Sequence, residues 1–213
     1  MFSLLPKLRP HGRGDLVRVP PDFREDVQNA MNSGARGDLR LLAHEAASFE
    51  WDQEGFRLMG EAQLKLRAFP GARETFEALR KTAPRDVQAN LKLGSIYQRL
   101  VLVESERKAE LLTRSDQAIA RVLAENLSVA DKAEALSLQA SNEKARWIED
   151  FVGRESVDVA ASALRSPHLE RMLALYLQAA NLDLKPHYPA ANALGLLSNP
   201  TPRAGRVSWK KRS

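Results

Sequence analysis

Four histidines, a serine beside a glycine and two groups of carboxylates are the residues of this chain best suited to chemistry. The histidines are His11, His44, His168 and His187. They stand far apart and show none of the pairing at helical spacing that a zinc site requires. Cysteine is absent, which excludes thiol nucleophiles, disulfides and thiolate-bound zinc. We therefore predict no metal and no cofactor.

The other catalytic candidates lack the neighbours that each mechanism needs. Ser95 follows a glycine, but the second glycine of a nucleophile elbow is missing and the segment is typical of a helix interior. The Gly-Arg-Gly segment at 12–14 lacks the further glycine and the lysine of a phosphate-binding loop. Glu143 and the pair Glu149-Asp150 fit a solvated helix face better than acid/base catalysis. The sequence therefore predicts that the protein is not an enzyme.

Positive charge is concentrated at the two ends of the chain. The net charge is +5, yet residues 25–198 carry 22 basic and 25 acidic side chains. Residues 199–213 carry five basic side chains and no acid. Because affinity for phosphate depends on local charge density, we do not expect the body to bind nucleic acid. Binding of nucleic acid or an acidic membrane by the tail stays open as an alternative.

No segment is long and apolar enough to cross a membrane. The longest strongly apolar run without charge extends from Met172 to Leu182, whereas a transmembrane helix needs about 20 residues. The apolar run from Phe2 to Leu5 is shorter than the roughly 7 residues of a signal-peptide core. Together with the absence of cysteine, these features predict a cytoplasmic protein.

The elements that must position any site are helices. From residue 23 to 198, apolar residues recur three and four positions apart and no sustained alternation appears. Glycine and proline divide this region into segments of helical length. We predict an all-α fold of about ten helices in antiparallel hairpins. An irregular basic arm precedes it over residues 1–22, and a basic tail follows it over 199–213.

Two segments repeat one pattern of residue types 34 positions apart. The first contains Phe56, Met59, Gly60, Gln63, Ala72, Phe76, Leu79 and Pro84, and the second begins with Asn90, Leu93, Gly94 and Tyr97. Gly60 and Gly94 allow two helices of a hairpin to approach closely, and Pro84 ends the second helix. One hairpin cannot bury its own apolar face, so we predict a right-handed α-solenoid of stacked hairpins.

Later repeats are less regular. In the second repeat, Ala118 is the best match to Ala72, the small residue on the second helix of the first repeat. The spacing implies an insertion around Glu104 to Glu110. A third hairpin would pair residues 133–148 with residues 158–165. A fourth would use Tyr176 and Ala179 in its second helix, and Tyr188 to Gly195 would begin a last helix.

These residues resemble a known family. The stretch Ala62 to Tyr97 resembles a bacterial tetratricopeptide-repeat (TPR) protein. The segments Ala135 to Trp147 and Tyr176 to Leu197 are similar to the TRAF-binding helical region of apoptosis-signal-regulating kinases and its bacterial relatives. In those relatives the module accompanies an effector domain, such as one of the TIR class. The resemblance implies a sensor or adaptor.

The predicted function is protein–protein interaction on the concave face of the solenoid. The polar groove residues are Arg57, Glu61 and Lys65 on one first helix, with Lys92, Ser95, Gln98 and Arg99 on the next. Lys65, Lys92 and Arg99 would form a basic strip suited to a peptide or protein ligand that carries carboxylates. The alternative is a regulatory component whose catalytic domain lies on another domain or polypeptide.

Overall fold

A computed structural model describes residues 19–48, 53–151 and 157–182, together with positions 191 and 195. This part of the chain is helical and contains nine α-helices. They are α1 (Pro21–Ser33), α2 (Arg36–Ser48), α3 (Gln53–Lys65), α4 (Phe69–Thr82), α5 (Val87–Val101), α6 (Lys108–Leu123), α7 (Val129–Phe151), α8 (Val157–Leu164) and α9 (Pro167–Leu182). The predicted all-α fold of helix hairpins is confirmed. No helix of the described residues is long and apolar enough to span a bilayer.

The chain separates into two compact units, Met1–Thr82 and Ala83–Ser213. In the first unit, α1 and α2 pack on α3, and α3 pairs with α4. Gly34, in the left-handed conformation at φ 71°, ends α1 and turns the chain into α2. Gly37 does not contribute to this turn, because it lies within the first turn of α2.

The α3–α4 hairpin depends on a glycine, as predicted. Gly60 is buried on α3 directly against the ring of Phe76 on α4. Next to this contact, the buried Gln63 accepts a hydrogen bond of 2.8 Å from Thr75 Oγ1. Small and complementary polar residues therefore let the two helix backbones approach closely.

The second unit begins with the antiparallel pair α5 and α6. Pro84 lies beyond the end of α4, and Asp86 caps α5 by accepting a 2.9 Å hydrogen bond from the Ala89 amide. Gly94 of α5 faces Ile119 of α6, beside the fully buried Ala118. The predicted insertion corresponds in part to the connection after α5, which contains a short 3-10 helix at Ser105–Arg107.

The third hairpin differs from the prediction. Helix α7 packs mainly against α9 and touches α8 only locally. The core between α7 and α9 contains Trp147, Met172 and Tyr176, and the Trp147 indole donates a 2.9 Å hydrogen bond to the Ala163 carbonyl of α8. The partner predicted around 158–165 is therefore wrong, because the eight-residue α8 is too short to cover the apolar face of the 23-residue α7. The predicted helix Tyr188 to Gly195 lies outside the continuous described ranges.

Candidate functional site

Helices α5 and α7 run side by side in the same direction within the second unit. Near their N-termini, Gln88 Nε2 donates to Asp131 Oδ1 at 2.8 Å. About three turns further on, Gln98 Nε2 donates to Asn142 Oδ1, also at 2.8 Å. The bonded residues are 43 positions apart in the sequence at the first contact and 44 at the second. From the first contact to the second, the residue number increases on both helices. The helices are therefore parallel and in register over this length.

A groove of about 430 Å³ lies between these two helices. Its lining comes from α5 and the residue after it, from α6 and from α7. The lining residues are Ser95, Gln98, Arg99, Val101, Leu102, Leu112, Glu134, Ser137, Leu138, Ser141, Lys144, Ala145 and Ile148. The floor is mainly aliphatic, and the charged groups are two cations and one carboxylate. Volumes of this size are typical of sites that bind small ligands or single anchoring side chains.

Asn142, which is fully buried, ties three helices together beneath the groove. Its carboxamide oxygen accepts from Gln98 of α5, and its Nδ2 donates to Ser115 Oγ at 2.9 Å and Asp116 Oδ1 at 2.7 Å on α6. Ser115 Oγ in turn lies 3.0 Å from the Gly94 carbonyl, to which it donates. These bonds fix the separation of α5 and α7, because a buried amide left without partners is costly.

The charged groups occupy different levels of the groove. With a register of 43 to 44, Arg99 of α5 lies opposite residue 142 or 143 of α7, one or two residues before Lys144. Glu134 lies on the same stripe of α7, ten positions earlier, or about 15 Å along the helix axis. The groove therefore has a basic end with two cations and an acidic end with one carboxylate.

The structure positions the seven predicted groove residues as follows. Arg57, Glu61 and Lys65 lie on α3 in the first unit; Lys92, Ser95, Gln98 and Arg99 lie on α5 in the second. Three of the latter, Ser95, Gln98 and Arg99, line the groove. Lys92 is not part of the described lining. The amide of Gln98 is also part of the frame of the site, since it bonds to α7.

Sequence reasoning missed the half of the groove that α7 supplies. The residues involved are Glu134, Ser137, Leu138, Ser141, Lys144, Ala145 and Ile148. Their spacing of three and four positions is a visible helical stripe. It was not found because α7 carries no repeat signature in register with α3 and α5, so no groove position could be transferred to it.

A second polar cluster joins α7 to α9 away from the groove lining. Glu143 Oε2 lies 2.7 Å from His168 Nδ1 and 3.0 Å from Arg171 Nε, and Glu143 Oε1 lies 3.2 Å from Arg146 Nη1. Burial by itself raises the pKa of the Glu143 carboxyl, but the hydrogen bonds and charges of His168 and Arg171 outweigh it and lower that pKa. The prediction that Glu143 lies on a solvated helix face is therefore wrong, because its side chain is only 13% exposed and pairs with His168 and Arg171.

Antiparallel helix hairpins whose first helices begin 34 residues apart, at Gln53 and Val87, define a helical-repeat protein of the tetratricopeptide class. Residues 68–197, more than half of the chain, match the family described as Tetratricopeptide Repeats-Sensor. The chain belongs to this family.

One solved structure is similar to the chain. It is the crystal structure of a thermophilic TPR protein from Thermus thermophilus, with 16% identity and a TM-score of 0.42. The similarity covers 83% of this chain and 98% of that protein. No curated protein matches the sequence.

Proposed function

We propose that this protein is a non-enzymatic interaction module that holds a segment of a partner protein in the groove between α5 and α7. The observation that carries the proposal is the pairing of a basic end, made by Arg99 and Lys144, with an aliphatic floor. Cations attract the carboxylates of a peptide, and the floor removes an apolar side chain from water.

The size of the groove fits a short extended segment. Its lining on α7 runs from Glu134 to Ile148, about 21 Å at the rise of a helix. An extended peptide of about six residues has this length. Leu102, 68% exposed at the edge of the groove, offers apolar surface that a bound side chain would cover.

The wider basic strip predicted from the sequence remains part of the proposal. Within the second unit it adds Lys92 to Arg99, while Lys65 lies on α3 of the first unit. In this proposal Lys92 adds to the affinity for acidic segments longer than about six residues.

A second candidate function is regulation. The family is described as a sensor family, and this favours a chain that reports partner binding to an effector. The catalytic domain of that effector, for example one of the TIR class, would lie on another domain or polypeptide. Similarity of the later helices to the TRAF-binding region belongs to this second proposal.

The groove is tested with a panel of fluorescein-labelled heptapeptides whose binding is followed by fluorescence polarisation. The panel combines one glutamate with one leucine at separations of one to five residues, and lysine replaces glutamate in matched peptides. We expect the wild type to prefer the acidic members. The double variant Arg99→Glu/Lys144→Glu should lose at least about tenfold in affinity, since two attractive pairs become repulsive.

Lys132→Glu is the matched control, because Lys132 is an exposed cation on α7 outside the groove lining. It should bind as the wild type does, and circular dichroism should show equal helicity in all variants. Equal binding of acidic and basic peptides, or unchanged binding in the double variant, would reject the groove assignment. Lys92→Glu with longer acidic peptides tests the wider strip separately.

A further inference from the structure

We infer that the groove binds a partner segment that carries three side chains in a fixed order. A basic side chain lies at Glu134, an acidic side chain lies at Arg99 and Lys144, and a large apolar side chain lies beyond them. The inference rests on the proposed function, because it describes the occupant of the same groove. It goes further in naming a charge-polarised segment instead of a simply acidic one.

The order follows from the register of the two helices. The polar groups on the α7 stripe change from the carboxylate of Glu134 to the hydroxyl of Ser141 and the cation of Lys144, and the aliphatic Ile148 follows. Leu138, between Glu134 and Ser141, also lines the groove but is partly buried against the core formed by α5, α6 and α7. On α5 the same direction leads from Ser95 to the cation Arg99 and then to the aliphatic Val101 and Leu102. From the hydroxyl-bearing residues onward, both walls therefore present the same order of chemical types.

Glu134 is available to a ligand. Its side chain is exposed, and within the described residues no hydrogen bond or ion pair to it is found. The positions three and four residues away on α7 are Ala130, Asp131, Ser137 and Leu138, none of which is basic. By the register of the two helices, the residues of α5 opposite Glu134 are Asn90 and Leu91, both buried. Lys92, the next residue of α5, is not in the groove lining. A cation from a ligand would thus be the natural counter-charge.

The separation of the charges sets the spacing in the ligand. Glu134 and Lys144 are about 15 Å apart along α7, a distance that four to five extended residues span. The aliphatic region around Leu102 and Ile148 begins one turn beyond the cations. We therefore expect the sequence of the partner segment to contain a basic residue, about four small or polar residues, an acidic residue and then a large apolar residue.

The test uses two capped peptides of the same composition and the full-length protein. In the first, leucine follows glutamate and lysine precedes a four-residue serine/glycine spacer; in the second, leucine is moved next to lysine. We expect the first peptide to bind about three- to tenfold more tightly in fluorescence polarisation, because only it places leucine near Ile148. Equal affinities would overturn the assigned order.

Charge exchange tests the acidic end on its own. In a third peptide glutamate replaces lysine, and it should bind the wild type about two- to fivefold more weakly than the first peptide at low salt. Glu134→Lys should reverse this preference, and Glu134→Gln should abolish it. Glu106→Lys, an equal charge change at an exposed residue outside the groove, should leave the preference as in the wild type.

The outcomes separate this inference from the proposed function. If acidic peptides bind and the Arg99→Glu/Lys144→Glu variant loses them, but Glu134→Lys changes no preference, the groove stands and its polarity is rejected. If no peptide of the panel binds the wild type, both are rejected. A reversed preference in Glu134→Lys, with helicity unchanged, supports the inference.

Discussion

At the scale of single residues, the spacing of α3 and α4 is set by the absence of one side chain. A Cβ added at Gly60 would lie 2.5 Å from Phe76 Cε2 and 2.8 Å from Cζ, both shorter than real Cβ contacts. The ring of Phe76 is almost fully buried, so it has little room to withdraw. At Gly94 an added Cβ would lie 3.2 Å from Ile119 Cγ1, where a small side-chain shift relieves the contact.

Gly60→Ala is therefore expected to lower the free energy of unfolding by about 1–3 kcal/mol, the cost of overpacking a filled core, despite the better helix propensity of alanine. Gly94→Ala should lower the free energy of unfolding by a smaller amount. Gly37→Ala is the control, because a Cβ there meets nothing within 4 Å and the residue is already helical. Urea unfolding followed by circular dichroism measures all three variants. A Gly60→Ala protein as stable as Gly37→Ala would show that the Phe76 contact does not limit the hairpin.

At the scale of elements, the sequence was informative where the repeat was regular and misleading where it was not. The 34-residue repeat predicted α3, α4 and α5 and the close contacts at Gly60 and Gly94. Helical periodicity also predicted α7, but not its partner. The nearest segment in sequence, α8, was expected to pack along it, whereas α9 buries that face. Packing between elements depends on tertiary area and shape, which periodicity along one helix does not encode.

The α7–α9 pair also explains why only half of the groove could be predicted. Ser95, Gln98 and Arg99 followed from α5, whose repeat register was known. Lys144, on α7, required the parallel alignment of α5 with α7, which the hydrogen bonds from Gln88 and Gln98 establish. These bonds join residues more than 40 positions apart, so no local sequence pattern predicts them.

The ion cluster between α7 and α9 predicts a pH-dependent contribution to stability. The lowered pKa of Glu143 means that its carboxylate is stabilised in the folded protein relative to the unfolded chain. That contribution is complete above the ordinary glutamate pKa of 4.5 and is lost as the pH falls through the lower folded value. Glu143→Gln should therefore destabilise the protein by about 1–3 kcal/mol at pH 7. The difference in the free energy of unfolding between this variant and the wild type should become smaller below about pH 4.5.

Denaturant unfolding of both proteins between pH 3 and 7 measures this difference. Glu170→Gln serves as the control, since Glu170 is an exposed carboxylate on α9, the helix that carries His168 and Arg171. At pH 7 its free energy of unfolding should differ little from that of the wild type. A Glu143→Gln difference that stays constant down to pH 3 would contradict the assignment of the stabilisation to the carboxylate.

At the scale of the whole molecule, the described groove belongs to one of the two compact units. Every lining residue, and the Asn142 hydrogen bonds that hold α5, α6 and α7 together, lie within Ala83–Ser213. Most of the segment that matches the family, residues 68–197, lies in the same unit. In repeat proteins, stability is close to a sum of contributions from each repeat and its neighbours. The second unit therefore contains the interactions that the groove needs.

A fragment of residues 83–213 is thus expected to unfold cooperatively and to bind the preferred acidic peptide with a Kd within about twofold of the full-length value, because affinity comes from local contacts. Calorimetry and fluorescence polarisation measure the two properties. Loss of this peptide by a folded fragment would place the binding surface outside the groove between α5 and α7.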